Sequence, residues 1–393
     1  MSLYQKRGVS AQKEEVHAAT SGLDQGLYAH SFCKIYPDHL GNDDEFVSVM
    51  HADGAGTKSI LAYLYWKETG DISVWKGIAQ DAIVMNLDDL LCVGIYNNLV
   101  FSSTIDRNKH LIPGEVLGAI INGSQQIFDT LADGGIHIHF LGGETADVGD
   151  VIRTIAVNGT LTARWPKDKL ITNDKIAAGD VIVGLAGFGK ANYEEEYNSG
   201  IASNGLTSAR HDMLKHDYAS EYPESFDPNT SKDVVYVGPY RLTEPVAVNW
   251  GGSSFEMPIG KLLLSPTRSF APVIREILLD HFDSVHGMVH CSGGGQTKCL
   301  KYLPGGLAVI KDNLFDIPEI FKLIRKAGGA DLYEMYQVFN MGCRLEIYTT
   351  AEESTAIIEK AHKYGVEARV IGRVVASENK YLELHSPEGI IKY

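Results

Sequence analysis

The amino-acid sequence predicts a mixed α/β (α+β) protein of two domains, and three observations carry that expectation. The chain has 393 residues, and domains usually hold roughly 100–200 each. Strand-like and helix-like patterns alternate as far as Arg164, the mark of a layered α/β structure. The polar stretch Trp165-Pro-Lys-Asp-Lys169 then interrupts them before the alternation resumes at Asp180. The expected division is 1–166 and 167–393, with an irregular insertion at about 190–260 in the second part.

Taken in order, Phe46–His51 alternates as a strand and ends on Asp53-Gly-Ala-Gly-Thr-Lys58. Helical patterns follow to about Glu68 and from Val74 to about Val93. Asn98–Ile105 reads as a strand, and Pro113–Leu131 as a helix with proline in its first turn. Ile136–Leu141 is a strand ending on Gly142-Gly-Glu-Thr145, and Val151–Arg164 is a long strand. Further on come a strand at Asp180–Ala186, a helix at Pro266–His281, a strand at Ser284–His290 and a helix at Ile317–Ala327. Glu346–Thr349, 352–364 and 367–375 close the chain as strand, helix and strand. Between Lys190 and Gly260 the period fails, and the acidic Tyr193-Glu-Glu-Glu-Tyr197 suggests a solvated surface.

Composition excludes several classes. With 44% hydrophobic and 22% charged residues the chain can bury a core and is neither disordered nor fibrous. Thirty-five basic and 50 acidic residues give a net charge of −15, which opposes nucleic acids and anionic membranes as partners. No apolar run approaches the roughly 20 residues of a membrane span. No apolar segment follows the N-terminal basic residues, so no secretory signal is expected. Five cysteines without C-x-x-C spacing argue against zinc and disulfides and for the cytoplasm. Cys92 and Cys343 read as core residues.

Several motifs can carry chemistry. Gly184–Lys190 fits G-x-x-x-x-G-K, but Ala191 stands where a P-loop needs Ser or Thr, so a turn after a core strand is the better reading. In Asp53-Gly54-Ala55-Gly56-Thr57-Lys58 the glycines admit a phosphate, Lys58 offers a point charge and Asp53 a metal ligand. A capped glycine turn explains the same residues equally well. Asp81, Met85, Asp88 and Asp89 share one helix face among apolar neighbours. Carboxylates there need a metal or a basic partner, unless the stripe faces solvent. Glu144 adds an acidic group behind Gly142 and Gly143 at a strand end, where ligands bind in α/β sheets. Gly293-Gly294-Gly295 lies between strand and helix, as an anion cradle would, and Ser203-Asn204-Gly205 reads as a polar helix start. His290 reads as a hydrogen-bonded core histidine before an acid or base. With no G-x-S-x-G or H-E-x-x-H present, this set suits Mg–nucleotide chemistry outside the P-loop class.

In order, these motifs resemble the AIR synthetase (phosphoribosylformylglycinamidine cyclo-ligase) family, over almost the whole chain. The resemblance rests on Asp53–Lys58, Asp81 through Leu90, Gly142–Ala146, Ser203–Gly205, Leu264-Ser-Pro-Thr-Arg268, His290–Gly295 and Glu334–Gly342. It implies an ATP-binding N-terminal domain that pairs across a homodimer into a central β-barrel, followed by a C-terminal α/β domain. It implies ATP-dependent closure of formylglycinamidine ribonucleotide to aminoimidazole ribonucleotide, with release of ADP and phosphate. By the same resemblance Asp53, Asp81, Asp89 and Glu144 hold Mg2+, with room for K+. Lys58, Thr57 and the glycines 54, 56, 142 and 143 meet ATP phosphates, and Asp53, Lys58, Asp89 and Glu144 form the catalytic set. Ser203, Asn204, Gly205, Arg268 and Gly293–Gly295 meet the substrate. The chain departs from the family pattern at Ala202 (usually His), Gln337 (usually Arg) and Gly342-Cys-Arg-Leu345 (usually Gly-Ile-Gly-Met). Arg344, or a residue of the insertion, is expected to replace the missing charge. A thiamine-monophosphate-kinase-like phosphotransferase and a non-catalytic nucleotide-binding paralogue are the alternatives.

Overall fold

Two sheets organise the chain, as seen in a computed structural model that describes residues 7–8, 18–20 and 22–393. The first is five-stranded, in the order β1 (Tyr36–Pro37), β2 (Phe46–Gly54), β5 (Ile155–Pro166), β3 (Leu99–Arg107), β4 (Ile138–Asp147). Only β3 and β4 run parallel. Apolar residues on alternate positions of β2 and β5, such as Val47, Val49, Val157 and Leu161, are buried, so one face carries the helices.

Helices α1 (Lys58–Thr69), α2 (Val74–Leu91) and α3 (Gly114–Asp133) cover that face. In α2 every residue but Lys76 and Gln80 is buried, because the sheet lies on one side and the C-terminal half on the other. Close approach is bought with glycine: a Cβ on Gly159 of β5 would stand 3.2 Å from the Ala82 carbonyl and 2.3 Å from the Phe101 ring. Each fully buried Leu or Ile of α2 contributes about 1.5–3 kcal/mol.

The second sheet has seven strands, ordered β11 (Gly287–His290), β13 (Cys343–Thr349), β6 (Val181–Ala186), β14 (Ala368–Ala376), β12 (Leu307–Lys311), β15 (Leu382–Ser386) and β16 (Gly389–Lys392). Its pairs are antiparallel apart from β12 with β15.

The segment from 190 to 260, expected as a solvated acidic loop, is folded. A short pair, β7 (Phe188–Gly189) with β8 (Asn198–Ser199), precedes α4 (Leu206–Met213) and α5 (Asp217–Glu221). A hairpin of β9 (Pro245–Trp250) and β10 (Ser253–Pro258) follows. Its turn is Gly251-Gly252, with φ of 59° and 77°, values that a two-residue hairpin loop requires. Tyr218, Tyr236, Arg210 and His211 are buried here, so its polar residues serve as internal partners. The Gly184–Lys190 stretch runs from the end of β6 through a bend at Gly187 into β7, with Gly189 at φ 93° against the Trp250 indole.

Strand ends also differ from the sequence reading. β4 continues through Gly142 and Gly143 to Asp147, with a bulge opposite Phe101–Ser103. A Cβ on Gly143 would fall 1.9 Å from the Ser103 carbonyl oxygen, so this glycine serves strand pairing. The helix expected from Pro266 starts at Ala271, as α6 (Ala271–His281), because Thr267, Ser269 and Phe270 before it are bonded to Asp81 and Asp88 of α2.

Candidate functional site

The N-terminal glycine loop and two C-terminal loops meet across the interface between the halves. Thr57 Oγ1, at the head of α1, lies 2.9 Å from Thr207 Oγ1 in the first turn of α4. Gly205 caps α4 at φ 77°, where a side chain would collide with the Phe339 ring at 2.3 Å. Asn204 reaches toward the glycine loop: its Nδ2 is 3.4 Å from where a Cβ on Gly293 would stand. Its Oδ1 is buried without a hydrogen-bond partner. Ser203 Oγ is 3.3 Å from Thr267 Oγ1. Asp53, Gly56 and Gly293 are exposed. The motif residues 54–57, 203–205 and 293–294 therefore adjoin one another along a partly exposed seam between the halves, the candidate cleft.

Several expected ligands are instead consumed in the interior. Lys58 has no exposed surface; its Nζ donates to Asp81 Oδ1 at 3.0 Å and to the Ser265 carbonyl at 2.6 Å. Burial lowers its pKa. Asp81 Oδ1 also accepts from Thr267 N at 2.8 Å and Thr267 Oγ1 at 2.5 Å. Arg268, expected at the substrate, donates to Glu194 at 2.9 and 2.5 Å and to the carbonyls of Ala186 and Phe188 at 3.0 and 2.8 Å. Arg344, expected to restore a substrate-facing charge, is 1% exposed. It donates to Asp88 Oδ2 at 3.0 Å and to His290 Nε2 at 3.1 and 3.0 Å. The Lys58 and Arg344 bonds are pins between the halves: Lys58, Asp81 and Asp88 come from the first, Ser265, Thr267 and Arg344 from the second, whereas Arg268 and its partners all belong to the second.

Asp89 stands at the centre of a second network. Its Oδ1 accepts from His290 Nδ1 at 2.6 Å, and its Oδ2 from His51 Nε2 at 3.1 Å. Burial alone would raise its pKa, but the two histidines hold it well below the carboxylate range. A guanidinium only donates, so His290 Nε2 must accept and Nδ1 carries the proton toward Asp89. Burial and the Arg344 charge bring His290 down to about 4. His51 faces two obligate acceptors, Asp89 and the Oδ1 of Asn86 at 2.9 Å. Asn86 is oriented because its Nδ2 donates to the carbonyls of Asp53, Ala82 and Gly159. Burial opposes charging His51, yet these partners raise its pKa. Sequence reasoning missed His51 and Asn86; their one available signal was their spacing from Asp53 and Asp89.

The four acidic residues expected to hold Mg2+ do not converge. Glu144 pairs through Thr104 with Asn158, the sheet face opposite Gly159 and α2. It is exposed and separated by the sheet from Asp81 and Asp89. Asp81 Oδ2 is a buried oxygen without a partner, but its carboxylate already faces the Lys58 ammonium, a poor neighbour for a second cation. Among the described residues no three His, Cys, Asp or Glu side chains form a metal-sized group. In a single chain these residues do not fit one Mg2+ shell.

An open sheet in each half, with the glycine-bearing loops gathered at the seam between them and no P-loop, defines a two-domain α/β scaffold. Residues 38–165 match the family model for the AIR synthase related protein N-terminal domain, and 259–385 the model for its C-terminal domain. The chain belongs to this AIR synthase family. It is 30% identical over 338 residues to the phosphoribosylformylglycinamidine cyclo-ligase of Methanocaldococcus jannaschii, covering 85% of this chain and 79% of that protein. Solved structures share the fold. One is T. maritima PurL complexed with FGAR, with TM-score 0.52, 14% identity, and coverage of 99% of this chain and 54% of that one. Another is AaThiL complexed with AMPPCP and TMP, with TM-score 0.51, 11% identity, and coverage of 94% and 91%. This chain thus spans about half of the PurL chain. Among the described residues no helix is long and apolar enough to cross a membrane, and the five cysteines are unpaired and buried.

Proposed function

We propose that this chain is an ATP-dependent cyclo-ligase of de novo purine biosynthesis, closing formylglycinamidine ribonucleotide to aminoimidazole ribonucleotide. The observation that carries the reading is the junction of the Gly54–Thr57 loop with Asn204 and the Gly293–Gly294 loop in one cleft. The curated relative named above, similar over most of both chains, supports it.

The chemistry suits that cleft. An amide oxygen is a poor leaving group. Transfer of the ATP γ-phosphoryl group to the formyl amide oxygen makes it a good one; an amidine nitrogen then attacks the formyl carbon, closes the ring and gives up its proton, and the oxygen leaves in inorganic phosphate. The chain's own contribution is positioning and electrostatics. The loop at Gly54–Thr57 and the polar ends of α1 and α4 hold phosphate oxygens. Asn204, with an oxygen still unpaired, orients an N–H of the substrate. Asp53 lies exposed at the cleft edge.

The division near Trp165 is supported by the five-stranded sheet ending at Pro166. A homodimer is supported by the open outer face of that sheet, where Met50 and Leu141 are 70% and 71% exposed; closure into a barrel would cover them. A cytoplasmic location agrees with five unpaired cysteines.

The test measures phosphate release from ATP with and without formylglycinamidine ribonucleotide. Stimulation with formation of the aminoimidazole product is expected. ATP binding without stimulation would sink the cyclo-ligase reading.

A further inference from the structure

The cations in and beneath the cleft loops differ in whether their charge is already spent. Lys58, Arg268 and Arg344 are buried in the pairs described above. Lys311 is fully buried as well. It is paired with Glu346 and donates to the carbonyl and side-chain oxygens of Gln296, at 2.9 and 3.0 Å, directly below the glycine loop. His51 is committed to Asp89.

Lys298 is the exception. It is partly exposed and lies under the loop, its Cβ 3.6 Å from where a Cβ on Gly294 would stand. Its ammonium folds back to donate to Ser292 Oγ at 2.5 Å and sits 4.8 Å from the centre of the Phe32 ring. No carboxylate among the described residues comes within ion-pair distance. An ammonium has three donors, so two remain. The N–H groups of Gly293 and Gly294, next to it, donate to no backbone or side-chain acceptor among the described residues. Gly294 at φ 97° gives the loop this shape.

We propose that Lys298, with the N–H groups of Gly293 and Gly294, is the phosphate-binding subsite of the C-terminal side of the cleft. A lysine is a point charge suited to a phosphate group, and here it stands beside N–H groups that no acceptor among the described residues takes. The identity of the phosphate, the monoester of the ribonucleotide or a phosphate of ATP, rests on the function proposed above; the anion site itself does not.

Lys298→Gln and Lys298→Arg test this. In the ATP turnover assay, Lys298→Gln is expected to raise KM at least tenfold for one of the two substrates, and Lys298→Arg to stay within about threefold of wild type. A rise for formylglycinamidine ribonucleotide assigns the monoester; a rise for ATP assigns the nucleotide. Unchanged KM for both overturns the proposal. If the wild-type protein turns over neither substrate, the cyclo-ligase reading fails and inorganic phosphate decides the site. Phosphate should then raise the wild-type melting temperature above a sodium chloride control of equal ionic strength, and should not do so for Lys298→Gln. Equal rises overturn the proposal. Because Lys298 makes one hydrogen bond and is partly exposed, Lys298→Gln should melt like wild type without ligand, which separates lost binding from lost folding.

Discussion

Arg344 donates to Nε2 of His290 through Nε at 3.1 Å and Nη2 at 3.0 Å, and a guanidinium can only donate. The arginine therefore selects the imidazole tautomer whose Nδ1–H points at Asp89. It stands where the family pattern has glycine, so its volume and charge need answering from across the interface, and Asp88 provides the answer at 3.0 Å.

The first prediction concerns that pair. Arg344→Met should leave Asp88 buried without its cation, at a cost of about 3–5 kcal/mol in urea unfolding. In the folded protein, His290 should lose its fixed tautomer, visible as a shift of its ring 15N resonances. A double variant with Asp88→Asn should recover part of the loss. Additive losses from the two substitutions would show that they do not act as a pair.

A second prediction follows from Lys58. If its ammonium pins Asp81 rather than a phosphate, Lys58→Met should destabilise the fold by about 3 kcal/mol or more. Lys58→Met with Asp81→Leu should regain much of that. A Lys58→Met protein as stable as wild type but with a raised KM for ATP would return Lys58 to the phosphate site.

Much of the framework was legible. Helix α2 begins at Val74 as its pattern suggests, and the face shared by Asp81, Met85, Asp88 and Asp89 is real, since 3- and 4-residue spacing fixes it before any packing. What periodicity could not say is that the opposite face is buried too, so the demand for a basic partner was met by Lys58, Arg344, His51 and His290 instead of a metal. Those pairings join residues 23 to 256 positions apart, and no local pattern encodes them. Gly142 and Gly143 misled for a related reason: a glycine pair after a strand usually ends it, but here the close approach of β3 turns it into a bulge. Acidic composition also hid the fold of 190–260, because Glu194 is the partner of Arg268.

A third prediction is pH-dependent. Burial, with Arg210 and Arg7 nearby, lowers His211 to about 2, and its Nδ1 accepts from Tyr236 N at 3.3 Å. A histidine depressed in the fold favours the native state above its unfolded value near 6.5, and that contribution is lost as pH falls. Between pH 7 and 5 the loss from this residue is about 2 kcal/mol. His211→Asn keeps an acceptor near Nδ1 and cannot titrate, so its unfolding free energy should fall by about 2 kcal/mol less over the same interval. Parallel pH profiles for the two proteins would refute this.

The last prediction separates two aspartates of the N-terminal half, one exposed and one buried. Asp53 is exposed at the end of β2, where its Oδ1 accepts from the Gly54 N–H at 2.7 Å. Asp89 is buried and answers two histidines. Replacing each by asparagine removes one charge, but the consequences should diverge. Asp53→Asn should keep the wild-type melting temperature and lose about a hundredfold or more of ATP turnover, as expected for a carboxylate that takes up the proton released when the ring closes. Asp89→Asn should lower stability by about 2 kcal/mol or more, since an amide cannot accept at both positions and one histidine must give up its bond. Its ATP turnover, measured well below its own melting point, should fall less than that of Asp53→Asn. The reverse ranking, with Asp89→Asn fully stable and inactive, would make Asp89 the reacting group and the histidine bridge incidental.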